Sequence, residues 1–229
     1  MLNTTPAAIK IAPSVLSADF WRLAEQIERI EASGVEYLHL DIMDGCFVPN
    51  ISYGPMILRA IRSHSKLFFD THLMINEPDR YLEDFAAAGA DLLTVHVEAC
   101  THLHRTVQKI KSLGLKAGVA LNPATSLDSI TEILPALDMV LLMSVNPGFS
   151  GQKFIPSVLK KASRLRAMIR EAELSVDIEM DGGITMENAA AAVKSGVNVL
   201  VSGNTVFAAA DIGAAAKALT VVANAAVLG

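Results

Sequence analysis

Eight alternations of a short apolar run with a helical stretch are the feature that most constrains the fold of this chain. The runs are rich in Val, Ile and Leu and show little polar alternation, which is typical of parallel strands covered on both faces. Glycine follows several of the helical stretches, as expected for the left-handed residue that ends a helix. The predicted strands are 9–15, 37–43, 67–74, 92–97, 117–121, 139–145, 176–180 and 197–202, with helices at 20–32 and 78–88 among those between them. The apolar spacing of the second of these helices predicts that it buries Tyr81, Leu82 and Phe85.

No linker or change of composition divides these units, so we expect one domain over residues 1–229. Eight strand–helix units in a chain of this length predict an α/β fold, a single (β/α)8 TIM barrel with parallel strands. The alternative is a doubly wound open sheet, which usually carries a glycine-rich turn after its first strand. The corresponding turn here reads PSVLSADF and contains no glycine.

Composition excludes several classes of protein. Hydrophobic residues make up 52%, and 19 Lys and Arg face 24 Asp and Glu for a net charge of -5, which gives no electrostatic reason to bind nucleic acid or an anionic membrane. Two cysteines are too few for a disulfide framework. We identify no secretory signal and no apolar run of the ~20 residues that a membrane span needs, so we predict a cytoplasmic protein. The apolar stretch 218–229 leads us to expect a homo-oligomer.

Polar residues at predicted strand ends suggest a metal site. The second strand reads YLHLDIMDG, and its alternation puts His39 and Asp41 on one face. The third strand contributes His72, and Asp181 ends the seventh. Active sites of such barrels lie at the carboxyl ends of the strands, where two His and two Asp could bind zinc, iron(II), manganese or cobalt. The alternative is a hydrogen-bonded polar cluster that plugs the barrel mouth.

Other polar residues near these strand ends are expected to support the metal site or the fold. His96 and Glu98 follow the fourth strand, where they are either ligands or groups that orient the ligands. Glu179 lies one layer below Asp181, and we expect it to pair with a base such as Lys116. The remaining histidines, at 64, 102 and 104, are expected on the solvated surface.

Glycines after the last three strands indicate an anion site. The segment MSVNPGFSGQKF follows the sixth strand, and DGGIT and VSGNT end the seventh and eighth. Glycines let backbone N–H groups turn towards an anion, and these loops form the habitual phosphate site of such barrels. No Walker-type loop occurs, so a small sugar phosphate is a more natural ligand than a nucleoside triphosphate.

Five segments resemble the signatures of the ribulose-phosphate 3-epimerase family: APSVLSAD, HLDIMDGCFVPNISYGP, DTHLMINEP, LLMSVNPGFSGQKFIP and IEMDGGI. The resemblance runs from about residue 11 to residue 207. It implies an isomerase of carbohydrate metabolism and the pentose phosphate pathway that interconverts D-ribulose 5-phosphate and D-xylulose 5-phosphate. Related epimerases of the six-carbon allulose 6-phosphate share most of the pattern.

The resemblance also implies site residues. One divalent metal ion per chain, with zinc favoured, would be bound by His39, Asp41, His72 and Asp181, and the two aspartates would be the acid/base residues. The residues implied in substrate binding are Ser14, Met43, His72, Met74, Met143, Gly148, Phe149, Ser150, Gly151, Asp181, Gly182, Gly183, Gly203 and Asn204.

Three positions depart from the family pattern: Cys46, Ser150 and Asn204. Backbone N–H groups do most phosphate binding, so the departures at 150 and 204 bear on phosphate affinity more than on the reaction. A metal-dependent hydrolase could use the same two His and two Asp but would need room for a nucleophilic water. A non-catalytic sugar-phosphate binding barrel should have lost an acid/base carboxylate, and here both are present.

Overall fold

The computed structural model describes residues 9–227, in which eight parallel strands form a barrel. Each strand from β2 to β7 pairs with the next along the chain, and β8 pairs with β1. A parallel bridge between Ser14 and His39 brings β1 and β2 together, which closes the ring. The predicted TIM barrel is therefore confirmed. The strands are β1 Lys10–Pro13, β2 Tyr37–Met43, β3 Phe68–Met74, β4 Leu92–His96, β5 Lys116–Leu121, β6 Met139–Met143, β7 Asp177–Asp181 and β8 Val199–Ser202.

Helices cover the outside of the barrel. Between β5 and β6 the connection consists of 3-10 turns at Leu127–Ile130 and Leu134–Ala136. Within residues 9–227, no helix has both the length and the apolar character required to cross a membrane. The α-helices are α1 Leu23–Ala32, α2 Pro55–Arg62, α3 Leu82–Ala88, α4 Leu103–Ser112, α5 Val158–Glu171, α6 Ala189–Lys194, α7 Asn204–Phe207 and α8 Ile212–Ala225.

Both helices predicted in detail begin with a 3-10 turn. The Asp19 carboxylate accepts a hydrogen bond from the Trp21 N–H and caps the turn Phe20–Arg22, after which α1 begins. The turn Pro78–Arg80 precedes α3 in the same way. We expected Tyr81 to be buried, and this is wrong: it lies at the junction of turn and helix and is 43% exposed.

Strand alternation separates two environments. Along β2, Leu38 and Leu40 face the helices and belong to the large apolar core, while His39 and Asp41 point into the barrel. Residues 41 and 72 are paired in the register of β2 and β3. This register brings polar side chains of different strands to one level of the barrel interior.

Candidate active site

Four of the predicted site residues form one cluster at the carboxyl ends of β2, β3 and β7. His39, Asp41, His72 and Asp181 each offer a ligand-type atom, and all these atoms lie within 4.8 Å of one another. Asp41 Oδ1 is 3.3 Å from His39 Nε2 and 3.2 Å from His72 Nδ1. His72 Nδ1 is 3.9 Å from Asp181 Oδ2. The cluster has the residue types and the spacing to hold one metal ion.

The two carboxyl groups of the cluster have different electrostatic environments. Burial raises the pKa of Asp181 to about 7, and the negative charge of Asp41 adds to this effect. Burial also opposes ionisation of Asp41, but the charge of His39 and the hydrogen bond from His72 hold its pKa well below the usual range. Asp41 further accepts a hydrogen bond from the Ser14 hydroxyl at 2.6 Å. Near pH 7 this arrangement favours an ionised Asp41 beside an Asp181 that is readily protonated.

Below the cluster lies a carboxylate that we did not predict. Asp70, on β3, has no exposed surface, and its Oδ2 is 2.6 Å from His39 Nδ1. Glu179 lies beside the same nitrogen at 3.5 Å, and burial together with the charge of Asp70 raises its pKa well above the usual range. The expected pair of Glu179 with Lys116 is wrong, because Lys116 is exposed and lies against the Phe68 ring. The spacing of residues 70 and 72 on one face of β3 was a signal for Asp70.

His96 and Glu98 lie behind His72 and outside the cluster. His72 Nε2 is 2.9 Å from His96 Nε2, and His96 Nδ1 is 3.1 Å from the Glu98 carboxylate. Glu98 also accepts hydrogen bonds from Asn122 N–H and from the Thr125 hydroxyl. Burial lowers the pKa of His96 to about 4. Of the two interpretations open from the sequence, the geometry favours the orienting role over direct ligation.

Methionines and glycine loops complete a cavity of about 440 Å³ above the cluster. Met43, Met74 and Met143 line it and are almost wholly buried. The predicted substrate-binding residues that line the cavity are Ser14, Met43, Met74, Met143, Gly148, Phe149, Ser150, Gly151, Asp181, Gly182, Gly183, Gly203 and Asn204. His72 is the exception: it has no exposed surface and lies beneath the cavity.

Hydrogen bonds brace the loop between β6 and α5. Gln152 Nε2 donates to the carbonyls of Asn146 and Phe149, and Asn50 Nδ2 donates to the carbonyl of Gly148. Backbone turns with positive φ occur at Gly148, Gly182 and Gly183, all on the cavity wall. The residues at 64, 102 and 104 are exposed, as predicted, and so is Cys46.

Fold and site together define a β/α-barrel enzyme with a pair of carboxyl groups at the carboxyl ends of its strands. The sequence profile of the ribulose-phosphate 3 epimerase family matches residues 10–207. The chain belongs to this family, whose curated members are isomerases.

Similar proteins agree with this assignment. A ribulose-phosphate 3-epimerase of Bacillus subtilis is 52% identical over 204 residues, covering 89% of this chain and 94% of that protein. One of Synechocystis is 52% identical over 201 residues and covers 87% of each. The solved structure of a 3-hexulose-6-phosphate synthase from Salmonella typhimurium is 17% identical in sequence and superposes with a TM-score of 0.68. The match covers 94% of this chain and 98% of that one, and it shows that the two share a fold.

Proposed function

We propose that the protein is a metal-dependent 3-epimerase that interconverts D-ribulose 5-phosphate and D-xylulose 5-phosphate. Family membership and the names of the similar proteins support the epimerase reaction. The observation that carries the mechanism is the approach of Asp41 and Asp181, from separate strands, to within 4.8 Å of each other beside a cavity that can admit a small substrate.

Inversion of a carbon next to a ketone requires loss of a proton from one face and return of a proton to the other. One base cannot easily serve both faces, so two carboxyl groups on separate strands suit the reaction. In one direction Asp41 removes the proton and Asp181 donates one, and in the other direction the roles are exchanged. The Ser14 hydroxyl, which donates to Asp41 Oδ2, holds that carboxylate in one orientation and leaves Oδ1 to face the cluster.

The residues present fit a divalent ion. His39 Nε2 is fully buried and has no hydrogen-bond donor or acceptor with good geometry, although it faces three other ligand-type side chains. Such an orphaned nitrogen is expected where a metal completes its interactions. We propose His39, Asp41, His72 and Asp181 as ligands of one ion per chain, with zinc favoured and iron(II), manganese or cobalt as alternatives. When bound, the ion would supply Lewis-acid stabilisation of the negative charge that develops on the substrate oxygens.

The cavity has an apolar end for the reacting carbons of the substrate and a polar end for its phosphate. Met43, Met74 and Met143 form a polarisable apolar wall beside the carboxyl groups and exclude water from the reacting carbons. Backbone N–H groups of the glycine loops bind the phosphate. The phosphate-binding residues we propose are Gly148, Phe149, Ser150, Gly151, Gly182, Gly183, Gly203 and Asn204.

The proposal is tested with protein stripped of metal by a chelator and then restored with zinc, iron(II), manganese or cobalt separately. Coupled assays with the five-carbon and six-carbon phosphates run side by side. We expect activity to disappear on stripping, to return with metal, and to favour the five-carbon sugar. Full activity in the stripped protein would refute metal dependence, and faster turnover of D-allulose 6-phosphate would refute the proposed substrate. A cytoplasmic location and a homo-oligomeric state remain predictions from the sequence.

A further inference from the structure

A buried acidic pair lies beneath His39 and has no role in the proposed reaction. Asp70 and Glu179 have no exposed surface, and neither lines the cavity. Both approach His39 on the side opposite the cluster, because they face Nδ1 while Nε2 faces Asp41. Two carboxyl groups in the interior of a barrel are costly unless they are hydrogen-bonded. Because both carboxyl groups face His39 Nδ1, His39 is the residue on which they act.

We propose that Asp70 is a positioning residue that keeps a proton on His39 Nδ1 and so directs the Nε2 lone pair into the cluster. At 2.6 Å from a carboxylate oxygen, which can only accept, the ring nitrogen must be the donor. A proton held on Nδ1 leaves Nε2 as the atom free to bind a metal ion. Carboxylates hold metal-binding histidines in this way. This inference rests on the proposed function in one respect: the metal ion that the oriented Nε2 would bind is the ion proposed above.

Glu179 lies farther from the same nitrogen than Asp70 does. Glu179 Oε1 is 3.5 Å from His39 Nδ1, whereas Asp70 Oδ2 is 2.6 Å from it. Asp70 Oδ1 and both oxygens of Glu179 have no hydrogen-bond partner among the described residues. Asp70 is therefore the carboxylate that accepts the hydrogen bond from His39.

The first test reads the position of the proton directly. The protein is labelled with ¹⁵N-histidine, stripped of metal, and examined by long-range ¹H–¹⁵N NMR, with His39→Gln used to assign the His39 signals among the six histidines. We expect a protonated Nδ1 whose hydrogen is protected from exchange in wild-type protein and exchanges faster in Asp70→Asn. An unprotonated Nδ1 on His39 in wild-type protein would overturn the proposal. This result does not depend on metal or on activity.

The second test measures zinc affinity by competition with a chelator. Asp70→Asn is expected to bind zinc about 10–100-fold more weakly than wild type, the usual consequence of losing a group that orients a ligand. Asp177→Asn is the matched control, since Asp177 is a partly buried aspartate that pairs with Lys10 at the far end of the barrel, and its affinity should stay unchanged. Glu179→Gln leaves Asp70 in contact with His39 Nδ1 and should also bind zinc normally.

Two results of the zinc titration would overturn the positioning role. His39, Asp70 and Glu179 themselves lie close enough to hold an ion, so two zinc ions per chain would make Asp70 a ligand instead. Wild-type affinity in Asp70→Asn would show that the carboxylate does not support the site. If wild-type protein binds none of zinc, iron(II), manganese and cobalt while Nδ1 of His39 is protonated and protected, the orientation by Asp70 stands and the metal dependence proposed above fails.

Discussion

Substitution of Gly183 by alanine tests whether the glycine loops bind the phosphate, and Gly34 offers a matched control. Both glycines have left-handed backbones, with φ of 66° and 85°. An added Cβ at Gly34 would meet nothing within 4 Å. At Gly183 it would lie 2.7 Å from Phe154 N and 2.8 Å from Gln152 O, both backbone atoms of the loop after β6. The two substitutions therefore share the backbone strain and differ in the steric clash.

The strain alone costs roughly 1–2 kcal/mol of folding free energy at either position. The clash adds a displacement at Gly183, because ordinary contact begins at 3.4 Å and the loop must retreat by about 0.7 Å. Such a shift would misplace N–H donors on both sides of the proposed phosphate site. A hydrogen bond to a charged group is worth about 1.5–3 kcal/mol, so loss of one corresponds to roughly a 10–100-fold weaker affinity for the substrate.

Urea denaturation and steady-state kinetics on both variants separate the two effects. We expect both to lose the unfolding free energy that the backbone strain costs, and Gly183→Ala to lose more because of its clash. KM should rise only in Gly183→Ala, with kcat changed less than KM. A folded Gly183→Ala protein with wild-type KM would refute the reasoning. An equal rise of KM in Gly34→Ala would refute it too, because that glycine does not line the cavity.

Three further outcomes follow from the site and the sequence. His72→Ala should lose most of its bound metal in elemental analysis, since it removes one of four ligands, and undiminished stoichiometry would reject the proposed ligand set. Burial opposes ionisation of Glu98, but the hydrogen bond from His96 lowers its pKa from the usual 4.5 to about 2. The ionised form of Glu98 therefore stabilises the fold above pH 4.5, and this contribution is lost as the pH falls towards 2. Acid titration of unfolding should therefore bring wild type and Glu98→Gln closer together over that range, whereas a constant gap would contradict the assignment. Light scattering should give a mass that is a multiple of the 24.4 kDa chain, and a monomer mass at micromolar concentration would contradict the homo-oligomer.

The barrel was predictable because its parallel strands are apolar on the helix-facing side and short. The predicted ranges match the observed strands to within one or two residues at each end, as at β2 and β6. The 3-10 turns before α1 and α3 were not predicted, since helical periodicity alone does not distinguish the two hydrogen-bond patterns over one turn. Tyr81 was misplaced for the same reason, because its side chain direction depends on that turn.

At the site, alternation along β2 and β3 was sufficient to select His39, Asp41 and His72. Asp70 lies on the same face of β3 as His72 but one layer deeper in the barrel. It was not predicted because site candidates are expected only at the carboxyl ends of the strands. The partner of Glu179 was wrong because Lys116 begins β5, where its long side chain reaches solvent while the carboxylate stays inside. Lateral register between strands, which decides such partners, is not contained in any single strand's pattern.

The two-carboxylate mechanism is tested most directly by proton exchange at carbon 3 in heavy water. Asp41→Asn and Asp181→Asn, each with its metal content measured, are incubated with either sugar. Both variants should lose net epimerisation by ~10²–10⁴-fold or more, as expected for loss of a general acid or base. A metal-loaded variant that retains one base should still exchange the proton of one sugar and not the other, and the two variants should show opposite preferences. Equal exchange from both sugars in metal-loaded Asp41→Asn would mean that a single base serves both faces, which contradicts the mechanism.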